Sequence, residues 1–185
     1  MVGLLYNTKM LSHLTSRFFN PTLYSGVTIT DEGMTVLLWN LSGKPVGFQC
    51  YNPSQPKKEV GDPRLQKYYS WVTKPCASKN AELAVWGLET VHWTDKYLFL
   101  TEGVFDACRL HWHGLPAVAV LSNNPVHLGG WLMALPSTKV ACVQGDKAGR
   151  NLAKFGDEKV WLPEGKDVGD LTEMEFAAFF GKYLP

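Results

Sequence analysis

The sequence lacks any closely spaced cysteine pair. Its four cysteines, Cys50, Cys76, Cys108 and Cys142, stand far apart, which excludes a zinc ribbon or finger built on CxxC. Cys108 and Cys142 sit in apolar segments and read as buried, reduced thiols rather than as a disulfide framework. No apolar run approaches the roughly 20 residues that a helix needs to span a bilayer. Met1 to Leu14 has no basic flank ahead of a sustained apolar stretch, so it does not read as a signal peptide. Net charge is only +1, which excludes the global basic field of a general nucleic-acid coat protein. Repeats and low-complexity tracts are also absent. Charged residues make up 19% and hydrophobic residues 45% of 185 residues, enough to bury a real core. A soluble, cytoplasmic protein with no membrane partner is expected.

The pattern along the chain falls into two parts, 1–95 and 96–185. In the first, Leu4, Leu5, Met10, Leu11 and Leu14 suggest a short helix. Met34 to Trp39 and Pro45 to Tyr51 read as strands around a Leu41-Ser42-Gly43-Lys44 turn, a hairpin signal. Residues 52–80 hold four prolines, six basic and two acidic residues and read as loop. Their local charge of +4, beside Tyr68, Tyr69 and Trp71, points to a surface where lysines meet phosphates and rings stack on bases. A solvated loop would show the same lysines.

From Lys96 strand and helix alternate. Strands are expected at Tyr97–Thr101, Pro116–Leu121, Lys139–Val143 and Lys159–Leu162. Helices are expected at Val104–His113, Leu128–Leu135, Lys147–Phe155 and Leu171–Tyr183. Such alternation implies an α/β fold, a mainly parallel sheet with helices on both faces, here preceded by a small strand-rich α+β unit. Trp112, Trp131 and Trp161 read as core residues, and His111 and His113 as surface or packing residues.

Ligands of open α/β sheets bind at the carboxyl ends of the strands. Three of these strands end in acids. The first leads into Glu102 and Asp106, the third into Gln144, Gly145 and Asp146, and the fourth into Asp167 and Asp170. Each acid alone suits the first turn of a helix. Together they can converge on one sheet edge, where carboxylates repel unless a cation neutralises them. Oxygen donors of this kind suit Mg²⁺ or Mn²⁺, which can hold the reacting oxygens of a phosphoryl transfer.

Glu102-Gly103-Val104-Phe105-Asp106 resembles the first motif of TOPRIM domains. Gly145-Asp146-Lys147-Ala148-Gly149-Arg150 closely resembles their second motif as found in bacterial and phage primases. Leu162-Pro163-Glu164-Gly165-Lys166-Asp167-Val168-Gly169-Asp170 is similar to the element that follows it, and Leu110 to Ala119 is also typical. The match covers about residues 97–171. Upstream, Trp39 to Phe48, Lys67-Tyr68-Tyr69-Ser70 and Trp86-Gly87-Leu88 are similar to the subdomain that precedes TOPRIM in DnaG-type primases. The chain is thereby identified as resembling a primase catalytic core, in the compact form of a phage or mobile-element primase. One position departs from the family: its Asp-x-Asp reads Gln144-Gly145-Asp146. Gln144 keeps a carbonyl oxygen but loses a charge, so one cation position is lost, shifted, or rebuilt with Asp167 or Asp170.

The resemblance implies a nucleotidyltransferase that makes short RNA primers on single-stranded DNA from nucleoside triphosphates, with Mg²⁺ or Mn²⁺. Glu102, Asp106 and Asp146 are then catalytic. Glu102, Asp146, Asp167, Asp170 and Gln144 surround the metal. Lys67, Lys74, Lys147, Arg150 and Trp71 meet template or nucleotide. The family's zinc-binding and helicase-coupling modules have no counterpart in the sequence, so a separate template-recognition protein or a replicative helicase is expected as partner. Phage origin would place the protein in the host cytoplasm. Two other readings stand: a TOPRIM module that binds nucleic acid or a replication partner without catalysis, and a TOPRIM nuclease.

Overall fold

A computed structural model describes residues 8–58, 61–73, 84–122 and 125–185. It contains two four-stranded sheets. Helix α1 (Thr8–Thr15) precedes an antiparallel meander of β1 (Val27–Ile29), β2 (Met34–Trp39), β3 (Pro45–Tyr51) and β4 (Tyr68–Val72). The expected hairpin is β2–β3. Its turn is held by the Asn40 side chain, whose Oδ1 accepts from the amides of Ser42 (3.0 Å) and Lys44 (2.9 Å). Gly43 turns the chain at φ 71°, which favours glycine.

Strand β4 corrects the expectation of loop across 52–80. Tyr68 to Val72 pairs in register with Tyr51 to Gly47. The surrounding prolines and lysines mask five residues that suit a pleated surface, and only an available edge on β3 makes them a strand. The three-residue β1 has no signal of its own in the sequence and forms against β2.

The second sheet is parallel throughout, in the order β6-β5-β7-β8. Its elements run β5 (Tyr97–Thr101), α2 (Val104–Trp112), β6 (Ala117–Ala119), α3 (Gly129–Ala134), β7 (Thr138–Val143), α4 (Lys147–Leu152), β8 (Glu158–Trp161) and α5 (Glu173–Phe180). The period of two in a strand divides the core. Phe99, Val140, Cys142 and Val160 pack on the side of α2 and α5. Leu98, Leu100, Ala141 and Val143 pack on the side of α3 and α4. Covering both faces is what makes these strands continuously apolar.

The two sheets share the first of these cores, which also takes in Leu14, Phe19, Met34, Val36 and Leu38. The link is direct: Val85 bridges to Trp39 and Trp86 bridges to Ala119. Trp86 is buried, with the Tyr24 ring centred 4.5 Å away. Trp112 and Trp161 differ from expectation and are half exposed. Trp112 lies in the last turn of α2 against the edge of Phe18, and Trp161 lies on the edge strand β8. Neither position is enclosed from both sides. Among the described residues, no helix is long and apolar enough to cross a membrane.

Candidate active site

The carboxyl ends of β5, β7 and β8 carry the acids to one edge, as the strand order requires. Glu102 follows β5 directly. Its carbonyl accepts the amide of Leu121 at 3.1 Å. Leu121 is held at φ 55°, a conformation that costs a branched residue energy and recurs beside functional groups. Asp106, in the first turn of α2, accepts the Gly169 amide at 3.1 Å. Asp146 caps α4, accepting the Gly149 amide at 2.7 Å. Gly149 is required there, because a Cβ would lie 2.0 Å from the Gln144 carbonyl oxygen. Beyond β8, the Asp170 carboxylate accepts the Asp167 amide at 3.2 Å. The Gln144 side-chain amide donates to the Asp167 carboxylate.

Glu102, Asp106, Gln144, Asp146 and Asp167 line one small cavity of about 60 Å³, with Thr101 and Cys142 also in its wall. Glu102 stays open at the mouth of the cavity; partial desolvation by the cavity wall raises its pKa, and the charges of Asp146 and Asp167 raise it further. Asp106 is pushed up to about 7, first by burial and then by Asp167; the Gly169 amide and Arg17 work against this. Like charges gathered in a half-dry site produce this signature. Burial also pushes the Cys142 thiol well up, so it stays protonated.

A larger groove of about 790 Å³ opens from this edge toward the antiparallel sheet. Glu102, Asp106, Asp167 and Asp170 line one wall, and His13, Arg17, Lys57 and Lys67 line the other, with Gln49, Tyr51 and Tyr68 between. Arg17 donates to the hydroxyls of Tyr68 (3.1 Å) and Tyr51 (3.3 Å), and its guanidinium lies 3.7 Å over the Phe105 ring. His13 stacks on Tyr51 with ring planes 5° apart. Partial burial lowers the His13 pKa, and the positive charges of Arg17 and Lys67 lower it further.

The structure brings together Glu102, Asp106, Gln144, Asp146 and Asp167 at the cavity, and Asp170 and Lys67 in the adjoining groove. Arg150 is exposed and folds back, its Nη1 donating to the Gly145 carbonyl at 3.1 Å. Trp71 is not in the groove. Tyr68 faces the groove and Ser70 takes a hydrogen bond from Gln49 on that side. Alternation therefore sends Tyr69 and Trp71 to the opposite face, where Trp71 stacks on Phe48 at 5.8 Å. Lys74 and the side chain of Lys147 lie outside the described residues. Sequence reasoning missed His13 and Arg17. Their spacing of four on α1 and its exit placed them on one side, but nothing local identified what that side would meet.

Solved structures share this architecture. The zinc-binding and RNA polymerase domains of Aquifex aeolicus primase match with a TM-score of 0.63 at 20% identity, over 97% of this chain and 55% of that one. The E. coli primase catalytic core matches at 0.60 and 18% identity, over 94% and 60%. A DnaG primase catalytic domain solved with single-stranded DNA matches at 0.59 and 18%, over 91% and 63%. The chain has the fold of a DnaG-type primase catalytic core. It spans 55–63% of the length of these three primase structures. No family model matches the sequence, and no curated protein matches it either. The primase fold accounts for the pairing of an antiparallel sheet with an acid-edged parallel sheet.

Among the described residues, no three His, Cys, Asp or Glu side chains converge as a ready-made cation cage. The donor chemistry still fits a hard cation. Magnesium keeps most of its waters and takes one or two carboxylates, with substrate phosphates completing its shell. No hydrogen bond among the described residues engages the Glu102 carboxylate, and the Asp146 carboxylate has one oxygen on the Gly149 amide. Both open into the cavity.

Proposed function

We propose that this chain is a primase-type nucleotidyltransferase core that joins ribonucleotides on single-stranded DNA. The observation that carries the reading is the groove itself, with cations on one wall and carboxylates on the other, on a primase fold. Glu102 and Asp146 would hold Mg²⁺ or Mn²⁺, which supplies charge neutralisation at the transferring phosphate. Lys67 and Arg17 meet the phosphates of nucleotide or template through charge-assisted hydrogen bonds. Tyr68 and His13, both partly exposed, offer ring faces to the bases, while the buried Tyr51 supports them from beneath. Asp106 and Asp170 act one step back, fixing the turn that presents Asp167. Catalysis by such a site is mostly positioning and electrostatics.

The test is primer synthesis on single-stranded DNA with labelled ribonucleotides and Mg²⁺ or Mn²⁺. Short products from the wild type that disappear in Glu102→Ala support the reading. Shortening of the DNA strand instead points to a nuclease working through the same acids. DNA binding that is indifferent to chelation, without products, leaves a binding module. The proteins that would load such a core, a helicase or a template-recognition partner, would be sought by co-purification from replicating cells.

A further inference from the structure

Gln144 stands where the resembling family carries an aspartate, and its environment gives the exchange a purpose. Two backbone ties bring Asp167 to the end of β7. Its own amide donates to Asp170, and the Gly169 amide donates to Asp106. Neither tie involves a cation. The Asp167 carboxylate then accepts the side-chain amide of Gln144. An aspartate at 144, one methylene shorter, would give up this hydrogen bond and set a second negative charge facing Asp167 across a gap, an arrangement that repels unless an ion lies between them. The glutamine amide replaces that ion with an internal donor.

The other two carboxylates of the cavity are arranged differently. The Glu102 carboxylate has no hydrogen-bond partner among the described residues, and Asp146 offers the oxygen that is not on Gly149. We infer that the site takes a single divalent cation, on Glu102 and Asp146, and that the Gln144–Asp167 hydrogen bond substitutes for a second. This rests on the cation-site part of the function proposed above. It differs from a decayed site, in which Asp167 would have no partner. It also differs from a rebuilt two-ion site, in which Asp167 would be a ligand.

The test is Mn²⁺ titration of the whole chain, read by calorimetry and by the electron paramagnetic resonance of free Mn²⁺. The wild type is expected to bind one ion, and Glu102→Gln none. Gln144→Asp is expected to bind two, with a thermal midpoint below wild type in chelator and a larger gain on adding Mn²⁺. Asp167→Ala, which does not depend on Gln144→Asp folding, is expected still to bind one ion, more weakly than wild type because a neighbouring negative charge is gone. Two ions in the wild type, one ion in a folded Gln144→Asp, or lost binding in Asp167→Ala overturns the inference. No binding to the wild type overturns it together with the cation reading of the acids. The readout is independent of primer synthesis. One bound ion without primers leaves this inference standing and rejects the polymerase. Primers made by a chain holding two ions do the reverse.

Discussion

The guanidinium of Arg17 lies 3.7 Å over the ring of Phe105, the residue next to Asp106. Arg17 belongs to the turn that leaves α1, and Phe105 to the first turn of α2. This packing, with the hydrogen bonds from Arg17 to Tyr51 and Tyr68, ties the cationic wall of the groove to the acidic one. Arg17→Ala removes a cation–π interaction and two charged hydrogen bonds, and is expected to destabilise the fold by about 2 kcal/mol. Urea unfolding measures this. Arg17→Lys, which keeps the charge but not the planar fork, should recover less than half.

Lys67 lines the groove and Trp71 lies on the other face of β4. Under the proposed function, Lys67→Ala should weaken binding of single-stranded DNA and flatten its dependence on log salt by about 0.7 for each phosphate that Lys67 neutralises. Trp71→Ala should leave both quantities within error. Fluorescence anisotropy across a salt series separates them, and weaker binding by Trp71→Ala would contradict the groove as the binding surface.

His111 is buried between Tyr24, whose hydroxyl is 2.8 Å from Nδ1, and the Ala117 carbonyl, 2.9 Å from Nε2. Burial lowers its pKa to about 4, against a partly opposing hydrogen bond to Ala117. Below its ordinary pKa of 6.5 the unfolded chain takes up a proton that the folded chain refuses. Stability is therefore complete above about pH 6.5 and falls as the pH drops toward 4, by about 3 kcal/mol in total. Chemical denaturation at pH 7, 6 and 5 should show the decline, and His111→Gln should flatten the part due to this residue.

Arg109 is 1% exposed. Its guanidinium lies 3.8 Å over Phe18, pairs with Glu173 at 2.9 Å and donates to the Leu171 carbonyl. Arg109→Ala should cost about 3–5 kcal/mol, because it leaves a cavity between aromatic rings and removes a buried partner. Glu173 is two-thirds exposed, so Glu173→Gln should cost no more than about 1 kcal/mol. Thermal and urea unfolding of the two variants checks the ratio.

Glu102 is exposed at the mouth of the cavity. Glu102→Ala should change stability by less than about 0.5 kcal/mol and, under the proposed function, abolish primer synthesis. A variant that loses both has lost its fold, and circular dichroism distinguishes the cases.

The parallel sheet and its acid edge were legible in the sequence because each rests on local pattern. Apolar runs of strand length alternating with helical periods imply parallel order, and parallel order sends every residue after a strand to the same edge. The grouping of Glu102, Asp106, Asp146 and Asp167 therefore follows from local pattern alone, and so does the β2–β3 hairpin from its turn. Other features depended on which surface meets which. Tyr68 to Val72 became a strand only because β3 offered an edge. The phase of that strand, absent from composition, put Tyr68 in the groove and Trp71 outside it. His13 and Arg17 acquired a role only when α1 docked against Tyr51 and Phe105. The bond from Gln144 to Asp167 links residues 23 positions apart, and it forms because β7 and β8 are neighbours in the sheet. The sequence by itself determined which chemical groups stand at the ends of the strands, since that follows from local periodicity. The tertiary structure alone decided which of those groups face one another across the groove, since that follows from how the two sheets pack around one core.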